Sequence, residues 1–246
     1  MSRGASAAGV TGEEQTARWV RRMFGRVARR YDLLNHLLSL NMDRCWRRAA
    51  ARRARPVLDR QGARALDICC GSGDLTLALS RAGKAAVYGS DFCRPMLTEA
   101  DRKIRAARSG AVVFEADALR LPLPDGSMDL ITVAFGFRNL ANYRAGLDEM
   151  RRVLAPGGLV LILEFSTPPG RLFRALYDWY SRRVLPWIGG LLSGSREAYQ
   201  YLPASVRCFP GAEELADDME AAGFEQVEFR RLTGGIVALH SGVSPN

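Results

Sequence analysis

The 246-residue chain is poor in several things, and each shortage excludes a class of protein. It has no run of about 18 uninterrupted apolar residues, which argues against a membrane-spanning helix. Its N-terminus lacks an apolar core segment, so no signal peptide is expected. Cysteine is scarce and odd in number: Cys45, Cys69, Cys70, Cys93 and Cys208, with no C-x-x-C pair. That argues against a disulfide framework or a zinc site and points to thiols in a reducing cytoplasm. Only two histidines occur, His36 and His240, and no His/Cys/carboxylate cluster has metal-ligand spacing, so no metal is expected. Both histidines read as structural: His36 lies in a leucine-rich helix and His240 at a strand end.

Acid is also in deficit. Lys and Arg number 35 against 26 Asp and Glu, a net charge of +9, and twelve arginines fall between Arg18 and Arg55. Such a face meets nucleic acid, an anionic membrane surface, or water alone. Hydrophobic content of 48% suits a globular chain with a sizeable core.

The most informative stretch is Leu66-Asp67-Ile68-Cys69-Cys70-Gly71-Ser72-Gly73-Asp74. It reads as a buried strand, a tight glycine-rich turn and a helix start, where free N–H groups face a ligand. About twenty residues on, Val87-Tyr88-Gly89-Ser90-Asp91 reads as a second strand ending in an acid suited to two ribose hydroxyls. A dinucleotide fingerprint requires a third glycine where Thr76 stands, and Asp74 opposes a pyrophosphate at the helix mouth. S-adenosylmethionine, with its sulfonium and ammonium, fits that acid better than NAD.

Residues 1–14 are expected to be a disordered tail. Residues 15–55 read as arginine-rich helices. Strands are expected at 64–69, 86–90, 111–115, 128–134 and 159–165, and helices at 74–82, 94–107 and 143–154. Ala155-Pro156-Gly157-Gly158 reads as a turn that stops one helix and starts a strand. This alternation predicts an α/β fold with a mostly parallel sheet and helices on both faces. Residues 171–192 mix aromatics with Arg171, Arg174, Arg182 and Arg183. They suit an interfacial helix or a pocket lid, with a helix packed on the domain core, or Trp179 and Trp187 on a homodimer face, as the alternatives. A helix over 211–223 and an antiparallel hairpin of 224–231 with 235–240 close the chain.

Four blocks then carry a specific resemblance: Tyr31-Asp32-Leu33-Leu34-Asn35 with Trp46; the Leu66–Asp74 loop with Leu75-Thr76; Phe135-Gly136-Phe137-Arg138-Asn139-Leu140; and Arg152-Val153-Leu154-Ala155-Pro156-Gly157-Gly158 ending in Leu163-Glu164-Phe165-Ser166. With Ala198-Tyr199-Gln200-Tyr201-Leu202 and the ending Gly235–His240, they cover nearly all the chain after residue 15. The chain resembles the menaquinone/ubiquinone biosynthesis C-methyltransferase family. Two positions depart from that pattern: Asp43 stands where members often carry histidine, and Ala134 where they often carry serine.

The resemblance implies a class I (Rossmann-like) methyltransferase domain over residues 15–246 with a seven-stranded sheet. Its parts are an N-terminal helical cap (15–62), a cofactor core (63–167), a substrate or membrane insertion (168–209) and a C-terminal helix and hairpin (210–246). It implies transfer of a methyl group from S-adenosylmethionine to a ring carbon of a prenylated quinol. Asp67, Gly71, Ser72 and Gly73 should flank the methionine part of the cofactor. Asp91, followed by Phe92, should take the ribose, and Asp117 and Ala118 the adenine edge. Ala134 and Phe135 should close the wall. Arg138 and Asn139 are the catalytic candidates with Tyr31, while Asn35, Tyr199 and Tyr201 are candidates for the ring pocket. The alternative for Arg138 is a salt bridge that pins its loop. A prenyl tail lives in the bilayer, so the basic helices and the 171–192 segment are expected to dock peripherally on the inner face of the cytoplasmic membrane. Demethylmenaquinol is the favoured acceptor, with the ubiquinone-pathway benzoquinol, or both, as the alternative. An RNA methyltransferase lacks an appended RNA-binding module here, so no nucleic-acid partner is expected. A nicotinamide oxidoreductase is opposed by Thr76 and Asp74. A non-catalytic scaffold in a quinone-biosynthesis complex is opposed by Arg138, Asn139 and Asp91.

Overall fold

The computed structural model describes residues 4–5, 12–170, 201 and 204–245, excepting the side chains of residues 29–31, 33, 34, 37 and 38. The segment 171–192, Tyr199, the Tyr31 side chain and most of the expected tail lie outside the described residues.

Two helices come first, α1 (Glu13–Leu38) and α2 (Met42–Leu58). The first starts two residues earlier than expected, with Glu13 and Glu14 in its opening turn where the helix dipole favours acids. The alternating body follows: β1 (Arg64–Ile68), α3 (Asp74–Ser80), β2 (Ala86–Asp91), α4 (Arg94–Ala106), β3 (Val112–Glu115), β4 (Met128–Ala134), α5 (Tyr143–Val153) and β5 (Leu154–Phe165). Helix α6 (Ala212–Ala221) and strands β6 (Glu225–Leu232) and β7 (Val237–Val243) complete it.

The seven strands lie in the order β3-β2-β1-β4-β5-β7-β6. Strands β1 to β5 pair in parallel and β7 runs antiparallel between β5 and β6. The central strands β1, β4 and β5 are largely buried because both their faces are covered, whereas the edge strands β3 and β6 keep exposed residues. Alternation sorts their side chains between two cores. Leu66, Ile131, Val133, Val160 and Ile162 pack with Leu147 and Met150 of α5 and Leu215 and Met219 of α6. Ala65, Leu130, Leu161 and Leu163 pack on the other face with Trp46, Ala50, Ala54 and Leu58 of α2 and Leu75 and Leu79 of α3.

One strand begins earlier than the sequence suggests. Leu154 already pairs with Met128, Leu159 pairs with Leu130, and residues 155–158 bulge out between them with Gly157 at φ 69°. The Ala-Pro-Gly-Gly turn therefore sits inside β5 rather than ahead of it.

Strand order reverses at β1, with β2 and β3 on one side and β4 and β5 on the other. The loops after β1 and β4 diverge there, and that is where open α/β sheets bind ligands.

Candidate cofactor cleft

Four strand ends build one cleft of about 930 Å³, counting the part open to solvent. From the loop after β1 come Cys69, Cys70, Gly71 and Ser72, with Asp74 and Leu75 at the start of α3. The end of β2 gives Asp91 and Phe92, the segment after β3 gives Asp117 and Ala118, and the end of β4 gives Ala134, Phe135 and Asn139. Ala17 and Phe24 of α1 and Arg47 of α2 line it from the cap.

The turn after β1 depends on its backbone. Cys69 has φ 50°, Gly71 φ 55° and Gly73 φ 82°. Gly71 lines the cleft, and its N–H donates to Asp91 Oδ2 at 2.9 Å, so the first strand's turn is tied to the second strand's acid. Gly73 is not among the lining residues; it caps α3, and a Cβ on it would come within 3.1 Å of the Ala100 Cβ. Its place in the motif is explained by the packing of α3 on α4 rather than by ligand contact.

Asp91 is the acid the sequence singled out, and it is 7% exposed. Oδ1 accepts the Cys93 N–H at 2.8 Å. Burial pushes its pKa up to about 6, against the pull of these backbone hydrogen bonds. Asp67 is 1% exposed, and burial pushes its carboxyl up to about 6 as well. Its oxygens accept from Thr76 Oγ1 at 2.7 Å and Thr132 Oγ1 at 2.9 Å. Both Asp67 oxygens are thus engaged inside the protein, which makes it a floor for the cleft that binds β1, α3 and β4 together. Burial, and next the charge of Asp91, push the Cys69 and Cys70 thiols well above their ordinary range, so both stay protonated beside the ligand space. Asp117 Oδ1 accepts the Leu119 N–H at 2.9 Å, an Asx-type turn that fixes the acid at the rim.

Arg138 and Asn139 are neighbours in sequence and part company in space. The 3₁₀ turn Phe137–Asn139 sends Arg138 into the interior, where it is 4% exposed and outside the cleft lining. Its Nη1 donates to Glu164 Oε1 at 2.7 Å and to the Phe135 carbonyl at 2.6 Å, and its backbone N–H donates to Glu164 Oε2 at 3.2 Å. The guanidinium stacks 5.1 Å from the Phe165 ring centroid. Arg138 thus takes the loop-pinning role rather than the expected place beside a substrate oxygen, because Glu164 on β5 supplies the buried counter-charge. Asn139 does line the cleft, and the Tyr201 hydroxyl donates to its Oδ1 at 3.0 Å. Tyr201 packs against Trp19 of α1, with ring centroids 5.0 Å apart.

The cap contributes differently from expectation. Asn35 is not among the lining residues; the cleft meets α1 earlier, at Ala17 and Phe24. Asp32 bonds Ser72 Oγ and accepts from Lys103 Nζ at 2.7 Å, and Lys103 also grips Asp74. His36, Asp43 and Asp74 come within 4.8 Å of one another although no spacing in the sequence suggests it. Arg47 and Lys103 already bring positive charge to these carboxylates. Among the described lining residues, Arg47, Ala17, Phe24 and Met96 were not singled out from the sequence. The one local hint for Arg47 is its place at the edge of the buried stripe Trp46, Ala50, Ala54, Leu58.

The donor set suits S-adenosylmethionine. Carboxylates predominate, which suits a sulfonium, an ammonium and a ribose diol, and Asp74 in the first turn of α3 opposes a phosphate at that helix start. The histidines fit their structural reading: His240 is 1% exposed with Nε2 2.8 Å from the Ala212 carbonyl, and burial lowers its pKa.

Comparisons with known proteins agree with this geometry. The fold is similar to that of a SAM dependent methyltransferase from Aquifex aeolicus, at 18% identity and TM-score 0.62 over 87% of this chain and 97% of that one. It is also similar to that of the 4+2 cyclase SpnF, at 17% identity and TM-score 0.67 over 99% of both chains. At such identities the likeness shows the class I methyltransferase fold alone, and the cyclase illustrates that the fold does not fix the reaction. Sequence relatives are more specific. The demethylmenaquinone methyltransferase of Thermus thermophilus is 50% identical over 224 residues, 91% of this chain and all of the relative. That of Deinococcus radiodurans is 49% identical, covering 91% of each chain. The ubiquinone/menaquinone biosynthesis C-methyltransferase UbiE of Stutzerimonas stutzeri is 43% identical over 95% of this chain and 91% of its own. A family model matches residues 10–244, and by that match this chain belongs to the ubiE/COQ5 methyltransferase family.

Proposed function

We propose that the chain methylates a ring carbon of a prenylated quinol, with demethylmenaquinol as acceptor, using S-adenosylmethionine. The observation that carries this reading is the near-complete match to relatives named demethylmenaquinone methyltransferase, joined to an acid-lined cleft at the sheet's switch point. Bound S-adenosylmethionine supplies a methyl group activated by its sulfonium.

The chain's own residues bind and orient. Asp91 accepts from the ribose diol, and Asp117 with the Ala118 backbone meets the adenine edge. Gly71 and Ser72 flank the amino-acid part, and Ala134 and Phe135 wall the reacting end. A quinone ring is electrophilic and does not attack a sulfonium, so the acceptor is the reduced quinol, whose hydroxyl pushes electron density to the ortho carbon as it loses its proton to solvent; once that carbon carries the methyl group, its own hydrogen leaves as a proton and the aromatic ring is restored. Asn139, oriented by the Tyr201 hydroxyl, is placed to hold that hydroxyl or a water on it. Arg138 acts through position: pinned by Glu164, it fixes the Phe135 carbonyl and the turn that carries Asn139.

The tail of such an acceptor is insoluble, so the enzyme meets it at a bilayer. Among the described residues no helix is long and apolar enough to cross one. The turn between α1 and α2 exposes Leu40 (75%) and Met42 (36%), and Arg44, Arg48 and Arg52 are exposed along α2. An apolar tip set in basic charge suits peripheral docking on an anionic leaflet.

The test is a transfer assay with labelled S-adenosylmethionine, offering demethylmenaquinol and the demethylated benzoquinol in detergent beside their oxidised forms. Turnover of the reduced naphthoquinol alone supports the full reading, and turnover of both quinols makes the enzyme serve two pathways. Turnover of neither, with S-adenosylhomocysteine still bound, overturns the acceptor assignment.

A further inference from the structure

The cleft contains a charge that its nucleoside contacts do not use. Asp67, Asp74, Asp91 and Asp117 line it, and Arg47 is the one cation among the described lining residues. An S-adenosyl amino acid brings a carboxylate into this acidic space, where unlike charge is needed to hold it.

Arg47 is built for that task. Its side chain is 11% exposed, and its guanidinium carbon stands 5.5 Å from the centroid of the Phe135 ring. Nη1 bonds Asp43 and lies 4.0 Å from Asp74 Oδ2. Asp43 is 3% exposed and is held in turn by Ser39 Oγ at 2.8 Å and His36 Nδ1 at 2.8 Å. A guanidinium presents five N–H donors in a rigid fork, so an anchor on one nitrogen aims the rest of the fork at a second anion.

Position along the sheet says which part of the ligand it meets. Asp117 follows β3 and Asp91 ends β2, on one side of β1, whereas Phe135 follows β4 on the other. Arg47, against Phe135, stands at the far end of the cleft from the acids suited to adenine and ribose.

We propose that Arg47 is the carboxylate anchor of the cleft, holding the amino-acid end of S-adenosylmethionine, with Asp43 as the residue that positions it. This rests on the cofactor reading above. It also gives Asp43, the departure from the family's usual histidine, a defined task.

The experiment is titration calorimetry of the full chain with S-adenosylhomocysteine and with 5′-methylthioadenosine, which keeps the nucleoside and lacks the amino acid. Arg47→Gln is expected to weaken S-adenosylhomocysteine by about 10- to 100-fold, as loss of a charged hydrogen-bonding partner does, and to leave 5′-methylthioadenosine within about twofold. Asp43→Asn is expected to give a smaller loss with the same selectivity. Should Arg47→Gln fail to fold, the carboxamide of S-adenosylhomocysteine on the unmodified chain reports the same contact from the ligand's side and should lose a similar factor. Equal weakening of both nucleosides, or an unchanged S-adenosylhomocysteine affinity, overturns the assignment, as does a variant whose only defect is a raised KM for the quinol. If the unmodified chain binds neither nucleoside, the cofactor reading itself falls, an outcome distinct from failure of Arg47 alone.

Discussion

Asparagine at position 91 separates the acid's role in binding from its role in folding. Asp91 accepts backbone N–H groups on both oxygens, from Cys93 at 2.8 Å and Gly71 at 2.9 Å, while burial lifts its pKa from 3.8 to about 6. A rise of roughly two units costs about 3 kcal/mol when the group is ionised at neutral pH. Because the folded pKa lies above the unfolded one, this carboxyl favours the fold fully below about pH 4, and that contribution is lost as pH rises through about 6. The amide removes the cost but places an NH2 against one of two N–H donors, a loss of about 1–3 kcal/mol. The two effects nearly cancel, so the ligand-free melting temperature at neutral pH should move by no more than about 5 °C. Binding has no such compensation. Hydrogen bonds from ribose hydroxyls to a carboxylate contribute about 1.5–3 kcal/mol each, and asparagine keeps one acceptor oxygen, so loss of one such bond should weaken S-adenosylhomocysteine by about 10- to 100-fold in Asp91→Asn. Calorimetry between about pH 8 and about pH 5 adds a second reading: native affinity should fall as Asp91 gains its proton, and the variant should lose that part of the slope. The comparison is needed because burial pushes the Asp67 carboxyl up to about 6 as well. An asparagine variant that binds S-adenosylhomocysteine within about threefold of the native chain refutes the ribose assignment.

Three further outcomes follow from the packing. Glu164→Gln strands the buried Arg138 charge and should cost about 3–5 kcal/mol in urea unfolding, whereas the joint change Arg138→Met with Glu164→Leu should cost less than either single change; a joint change costing the sum of the two would contradict a paired role. Gly73→Ala, at φ 82° with Ala100 at 3.1 Å, should lose about 1–3 kcal/mol, while Gly110→Ala, with nothing within 4 Å, should be near neutral. Leu40→Glu with Met42→Glu should reduce co-sedimentation with anionic vesicles at low salt without changing S-adenosylhomocysteine affinity; unchanged vesicle binding removes the α1–α2 turn from the docking face.

The alternation of strands and helices was legible because each element carries its own period, and the ends of β1, β2 and β4 were legible because their chemistry is local. Gly71, Ser72, Asp91 and Phe135 line the cleft as their positions in the strand–turn–helix pattern require. Gly73 sits in the same motif yet serves helix packing, since the Ala100 it faces lies on an element the motif does not contain. Arg138 and Asn139 show the limit most clearly. Nothing in Phe-Arg-Asn tells which of the two polar residues turns inward; Glu164, 26 residues further on, decides it by burying its carboxylate beneath that turn. Arg47 is one of twelve arginines in its region, and only the packing of α2 over α3 and the grip of Asp43 distinguish it from Arg48. By itself the sequence determined the alternation of strands and helices, the ligand-binding ends of β1 and β2 and the class of cofactor, because hydrophobic period and turn chemistry act over a few residues. Tertiary structure alone decided which charged side chains meet the cleft and which are spent on holding it, because burial and counter-charge come from elements far apart in the chain.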